Sequence, residues 1–181
     1  MKLAVTMSEL IGRFGVTGIN LFPRYNHFPP LHEKTAAFLG AVGLPHSDQF
    51  MSRTEGDPIN LSARFSEGGG EIPKECETWI EIGWFENMVI VLDPVDGKVY
   101  AFPEGSSLKD YGQLNRDVES LVYTVMAFEE FAAACQGAED LDFLESRFKN
   151  QISKFDPIPF GDEGSQWSRI TDDVLESSWT A

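Results

Sequence analysis

The chain has 181 residues, 42% of them hydrophobic and 12% aromatic, which suits one ordered domain over residues 1–181 and argues against disorder. Asp and Glu number 29 against 14 Lys and Arg, giving a formal charge of -15 and a pI near 4.4. Such a surface repels nucleic-acid backbones and anionic membranes, and attracts a basic protein whose approach is steered and salt-dependent.

The N-terminal stretch MKLAVTMSELIGRFG has apolar residues broken by Glu9 and Arg13. It lacks the long apolar region and small-residue cleavage site of a secretory signal. No apolar run approaches the ~20 residues of a membrane span. Cys76 and Cys135 are too few for a disulfide framework or a zinc pair, so a cytoplasmic protein with two reduced thiols is expected.

In PPLHEKTAAFLGAVGLP, Leu31, Thr35, Phe38, Leu39 and Val42 recur at helical spacing. Gly43 follows as a left-handed C-terminal cap, and Pro45 blocks continuation. INLSARF, residues 59–65, alternates apolar and polar side chains and predicts a half-buried strand. EGGGEIP, residues 67–73, predicts a loop. Its three glycines make no phosphate loop, because no Lys-Ser/Thr pair follows.

IGWFENMVIVLDPVDGKVYAF predicts a three-strand meander from Trp79 to Phe102. Ile80, Ile82 and Trp84 are expected on one face, with Glu81 and Gly83 on the other. Met88 to Leu92 is apolar throughout, as in a strand covered on both faces, so it is expected at the centre of its sheet. Pro94, Asp96 and Gly97 supply the following turn.

LNRDVESLVYTVMAFEEFAAAC then predicts a helix capped by Asn115 or Asp117, with Gly137 as its stop. A second helix follows in EDLDFLESRFKNQISKF and closes at Asp156-Pro157. A third, near Gln166–Ser177, buries Trp167, Ile170 and Val174. Helices, then strands in a block, then helices again predict an α+β fold: an antiparallel sheet with a central meander, flanked by N-terminal and C-terminal helices.

Few residues of the sequence are spaced for chemistry. His27, His32 and His46 show no metal-ligand spacing and read as structural or surface residues. Ser106 and Ser107 lack a serine-hydrolase elbow, with no histidine nearby. Cys76 lies between acids, which blunts a thiol, and Cys135 lies on an apolar helix stripe. Asp93 and Asp96 are three apart, which breaks the calcium-loop pattern despite Glu104. No catalytic residue, metal or cofactor is assigned.

The quoted segments, taken together, resemble the SUKH superfamily in its bacterial immunity-protein branch. The resemblance rests on Phe22-Pro23, Val42-Gly43-Leu44-Pro45, the hairpin Leu92 to Tyr100, the helix Asn115 to Phe128 and the closing SQWSRITDDVLE. It spans about Ser8 to Glu176. Trp84 and Phe85 depart from it, standing where a small Gly/Asp-rich turn is usual. The resemblance implies a SUKH-like domain without enzymatic activity. It implies a protein that neutralises a cognate toxin, often a nuclease or nucleic-acid deaminase. Other members are scaffolds or regulators, which gives the alternative role.

On either role the partner is a protein, and for immunity a basic toxin domain, met by a monomer or weak homodimer. An acidic face bearing aromatics suits it, with carboxylates standing in for phosphates. Glu75, Glu77, Glu81, Trp84, Phe85 and Glu86 are the candidate contact residues. The competing reading puts Trp84 in the core and makes the carboxylates a solvated edge. Glu139, Asp140, Asp142 and Glu145 form a second acidic patch.

Overall fold

The computed structural model describes residues 4–22, 30–53, 61, 72–85, 87–103, 105 and 107–179. In chain order these form α1 (Met7–Phe14), β1 (Ile19–Asn20), α2 (Glu33–Ala41), β2 (Leu44–Pro45) and β3 (Phe50–Ser52). Then come β4 (Ile80–Phe85), β5 (Met88–Leu92), β6 (Val99–Pro103), β7 (Gly112–Asn115), α3 (Val118–Cys135), α4 (Leu141–Phe155) and α5 (Gln166–Trp179). β3 to β7 form one antiparallel sheet in sequence order, and β1 pairs with β2 in a separate ribbon. The fold is α+β, as expected.

Short-range chemistry sets most boundaries. A capping box starts α1: Thr6 Oγ1 accepts from the Glu9 N–H, and the Glu9 carboxylate accepts from the Thr6 N–H at 2.8 Å. α2 ends where Gly43 takes φ 82°, with its N–H donating to Phe38 O. Asp117 caps α3, its Oδ1 accepting from Ser120 N–H at 2.8 Å. Asp140 caps α4 in the same way through Phe143 N–H.

The meander is present and has a further strand on each side. β5 is the middle strand of five, and all five of its residues are buried. One face receives Ile82, Phe85, Ile90, Leu92, Val99 and Ala101, which pack with α2, α3 and α5. The other face receives Trp84, Val89, Val91, Tyr100 and Phe102, which pack with Leu61, Cys76, Trp79 and Tyr111.

One strand departs from the alternation expected. A β-bulge lies between Glu81 and Gly83, so Glu81 pairs with Val91 and Trp84 with Val89. Trp84 therefore shares a face with Glu81, and Ile82 shares one with Phe85. Gly83 permits this because a Cβ there would stand 2.7 Å from Met51 O, so β3 lies against bare backbone.

The predicted strand 59–65 lies outside the described residues except for Leu61. That residue is buried and helical, not extended. The predicted loop 67–73 is described only at Ile72 and Pro73.

Candidate partner-binding surface

The second face of the sheet carries an aromatic group built from β6 and the segments beside it. Trp79 stacks on Tyr100 with centroids 4.1 Å apart, and Tyr111 stacks on Phe102 at 5.2 Å. Trp79 and Tyr111 meet edge to face at 5.3 Å. Trp79 and Phe102 are buried, whereas Tyr100 and Tyr111 are half-buried and present their rims to solvent.

Glu75 lies in a single 3-10 turn, Lys74–Cys76, that rides over this group. Its Oε1 accepts the Tyr111 hydroxyl proton at 3.0 Å. Burial, and then this bond to a carboxylate, hold the Tyr111 phenol well above its ordinary range. Burial likewise pushes the Cys76 thiol up to about 11, so it stays protonated and makes a poor nucleophile.

The six contact candidates do not share one surface. Glu75 and Glu77 are exposed at the rim of the aromatic group. Trp84 is half-buried on the same face, and its cross-strand partner Met51 is 46% exposed. Glu81 is 1% exposed, enclosed on that face on the strand beside Arg53, which is also buried. A carboxylate so enclosed cannot meet a partner directly. Phe85 is wholly buried on the opposite face, edge-on to Phe128 at 5.3 Å and Trp167 at 5.2 Å. Neighbours in a strand face opposite ways, and the bulge decides that Phe85, not Trp84, joins Ile82 in the core. Glu86 lies outside the described residues.

In the second patch, Glu139, Asp140 and Asp142 are exposed, and Glu145 pairs with Lys149 at 2.5 Å. Phe143, set among these acids on α4, is 60% exposed. Sequence reading passed over Phe143, Tyr100 and Tyr111 as contact residues. Phe143 was detectable as the aromatic lying off the apolar stripe of its helix, whereas Tyr111 carries no local signal.

The other chemical candidates have structural work. Asp93 Oδ1 accepts from Val95 N–H at 2.8 Å, and Asp96 Oδ1 from Lys98 N–H at 2.9 Å, so both carboxylates shape the β5–β6 turn. His46 Nδ1 lies 3.0 Å from Ser52 O, and His32 stands at the N-cap of α2. His27 and Ser106 lie outside the described residues. Among the described residues no group of three His, Cys, Asp or Glu is arranged to hold a metal. No described helix is long and apolar enough to cross a membrane.

A family model described as "SUKH-4 immunity protein" matches residues 8–176, nearly the whole chain. The chain belongs to the SUKH-4 immunity protein family. Membership suggests a toxin-neutralising, non-catalytic role. No curated protein and no solved structure matches the chain.

Proposed function

We propose that this SUKH-4 protein binds a cognate toxin stoichiometrically in the cytoplasm and covers the toxin's basic, nucleic-acid-binding groove. The toxin class that suits this is a nuclease or nucleic-acid deaminase. The family match over residues 8–176, joined to a formal charge of -15, carries the reading. A basic groove built for phosphates accepts a surface of carboxylates in their place, and opposite potentials speed the encounter. The two cysteines are buried free thiols, in keeping with a reducing compartment.

The contact surface in this reading is the rim of the aromatic group: Glu75 and Glu77, with Tyr100, Tyr111 and Trp84 beside them. Half-buried aromatics supply apolar area that is already held in place, so little ordering cost falls on binding. The exposure of Phe143 favours a second reading, with the partner on the acidic face of α4.

The test is a pull-down with the toxin domain encoded beside this gene, in low and in moderate salt. Capture that weakens as salt rises is expected. Failure to capture any neighbouring toxin domain in either buffer would remove the proposal.

A further inference from the structure

A cavity of about 480 Å³ opens between the start of α2, the β5–β6 turn and the start of α3. The turn approaches α2 closely. His32 N–H donates to Pro94 O at 2.6 Å, and a Cβ on Gly97 would stand 2.6 Å from Thr35 Oγ1. A volume of this size suits a small organic ligand, for which pockets run about 300–1,000 Å³.

The carboxylates of the lining are already engaged. Asp96 pairs with Lys98 at 2.7 Å. Asp117 pairs with Arg116 at 3.2 Å while capping α3. Glu119 accepts the Ala4 N–H.

The unmatched groups are donors. α2 has no side-chain N-cap, and its first internal bond is from Ala36 N–H to His32 O at 2.9 Å. The N–H groups of Glu33, Lys34 and Thr35 therefore have no acceptor among the described residues. Lys34 lines the cavity and has no ion pair among the described residues. Thr35 also lines it; the residue is only 4% exposed, yet its hydroxyl has no hydrogen-bond partner among the described residues. Thr35 thus brings a hydroxyl donor to the cavity wall.

We propose that this cavity binds a small organic oxyanion, a carboxylate or a phosphate ester. The oxygen atoms lie against the uncapped first turn of α2, and the Thr35 hydroxyl and Lys34 ammonium complete the donor set. A helix start without a side-chain cap, next to an ammonium with no ion pair among the described residues, is the arrangement that selects an anion. The proposal requires nothing of the toxin-contact surface proposed above.

The experiment titrates the isotope-labelled full chain with sodium phosphate and, separately, sodium acetate, each against sodium chloride of equal ionic strength. The negative potential of the whole molecule sets a low baseline for any anion, so a localised saturable response is diagnostic. Saturable shifts of the Lys34 and Thr35 amides are expected, and the anion that saturates at lower concentration identifies the ligand class. Lys34→Ala and Thr35→Val should each weaken the response about five-fold. Lys34 is exposed, so its replacement leaves the fold intact even if the Thr35 variant is destabilised. Shifts no different from those in chloride, or the same affinity in Lys34→Ala as in the parent, would overturn the proposal.

Discussion

The sheet face against α3 and α5 and the face against Trp79 and Tyr111 accommodate their polar groups differently. On the helix side, polar groups are enclosed and joined. Asn115 Nδ2 donates to Ser120 Oγ and Thr124 Oγ1, both at 3.1 Å, and Asn115 Oδ1 accepts from Trp167 Nε1 at 3.0 Å. Ser120 Oγ donates to Asp156 Oδ2 at 2.5 Å. This network ties β7, α3, the end of α4 and α5 together inside the core. On the other side, Tyr100 and Tyr111 reach the surface, and the carboxylate beside them, Glu75, is exposed. The joined polar network thus lies on one face, and the half-exposed tyrosines lie on the other, where Glu81 alone among the described contact candidates is enclosed.

Replacing Trp167 tests that division most severely. Trp167→Ala empties a fully buried site and strands Asn115 Oδ1 without its donor, a loss of about 3–5 kcal/mol in urea unfolding. Phe85→Ala should cost about as much, for the same reason of an emptied core site. Toxin affinity per folded molecule should be unchanged by Phe85→Ala. A stable Phe85→Ala protein that failed to bind would show that Phe85 reaches the partner after all.

Phe85 also shows what the sequence could and could not convey. The apolar run of β5, the turn at Asp96-Gly97 and the caps at Gly43 and Asp117 are local signals, and the structure keeps them. The bulge is not local. Ile80, Ile82 and Trp84 alternate without interruption, and only the approach of β3 to Gly83 displaces the register. β3 and β7 have three and four residues, too short for a period to be read. The rim of Glu75 and Tyr111 joins positions far apart in the chain, so Glu75 was legible as a candidate and its bond to Tyr111 was not.

Alkaline titration tests the enclosure of the Cys76 side with a smaller effect. Burial raises Cys76 from 9.0 to about 11, and burial is also the first cause of the rises at Tyr100 and Tyr111. The unfolded chain loses these protons first. Stability is therefore full below the ordinary thiol value of 9.0 and falls as pH climbs through about 11. Cys135, on the helix side, is also raised by burial and adds to the trend. Cys76→Ala should flatten this part of the stability curve, measured by urea unfolding across alkaline pH. An unchanged curve would show that the thiol is not as enclosed as the structure has it.

Tyr111→Phe removes one partly exposed hydrogen bond to Glu75 and should cost no more than about 1 kcal/mol. It should leave the Trp79–Tyr100 stack in place, which tryptophan fluorescence can check.

The smallest effect on stability and the most direct test of function come from one variant, Glu75→Gln with Glu77→Gln. Its affinity for the neighbouring toxin domain should be measured across a series of salt concentrations, beside the parent protein and an Asp140→Asn, Asp142→Asn control. Weaker binding and a shallower salt dependence, with the unfolding midpoint unmoved, are expected for the Glu75/Glu77 variant alone. Unchanged affinity and salt dependence there, with the loss appearing in the α4 variant instead, would contradict a contact surface at the aromatic rim.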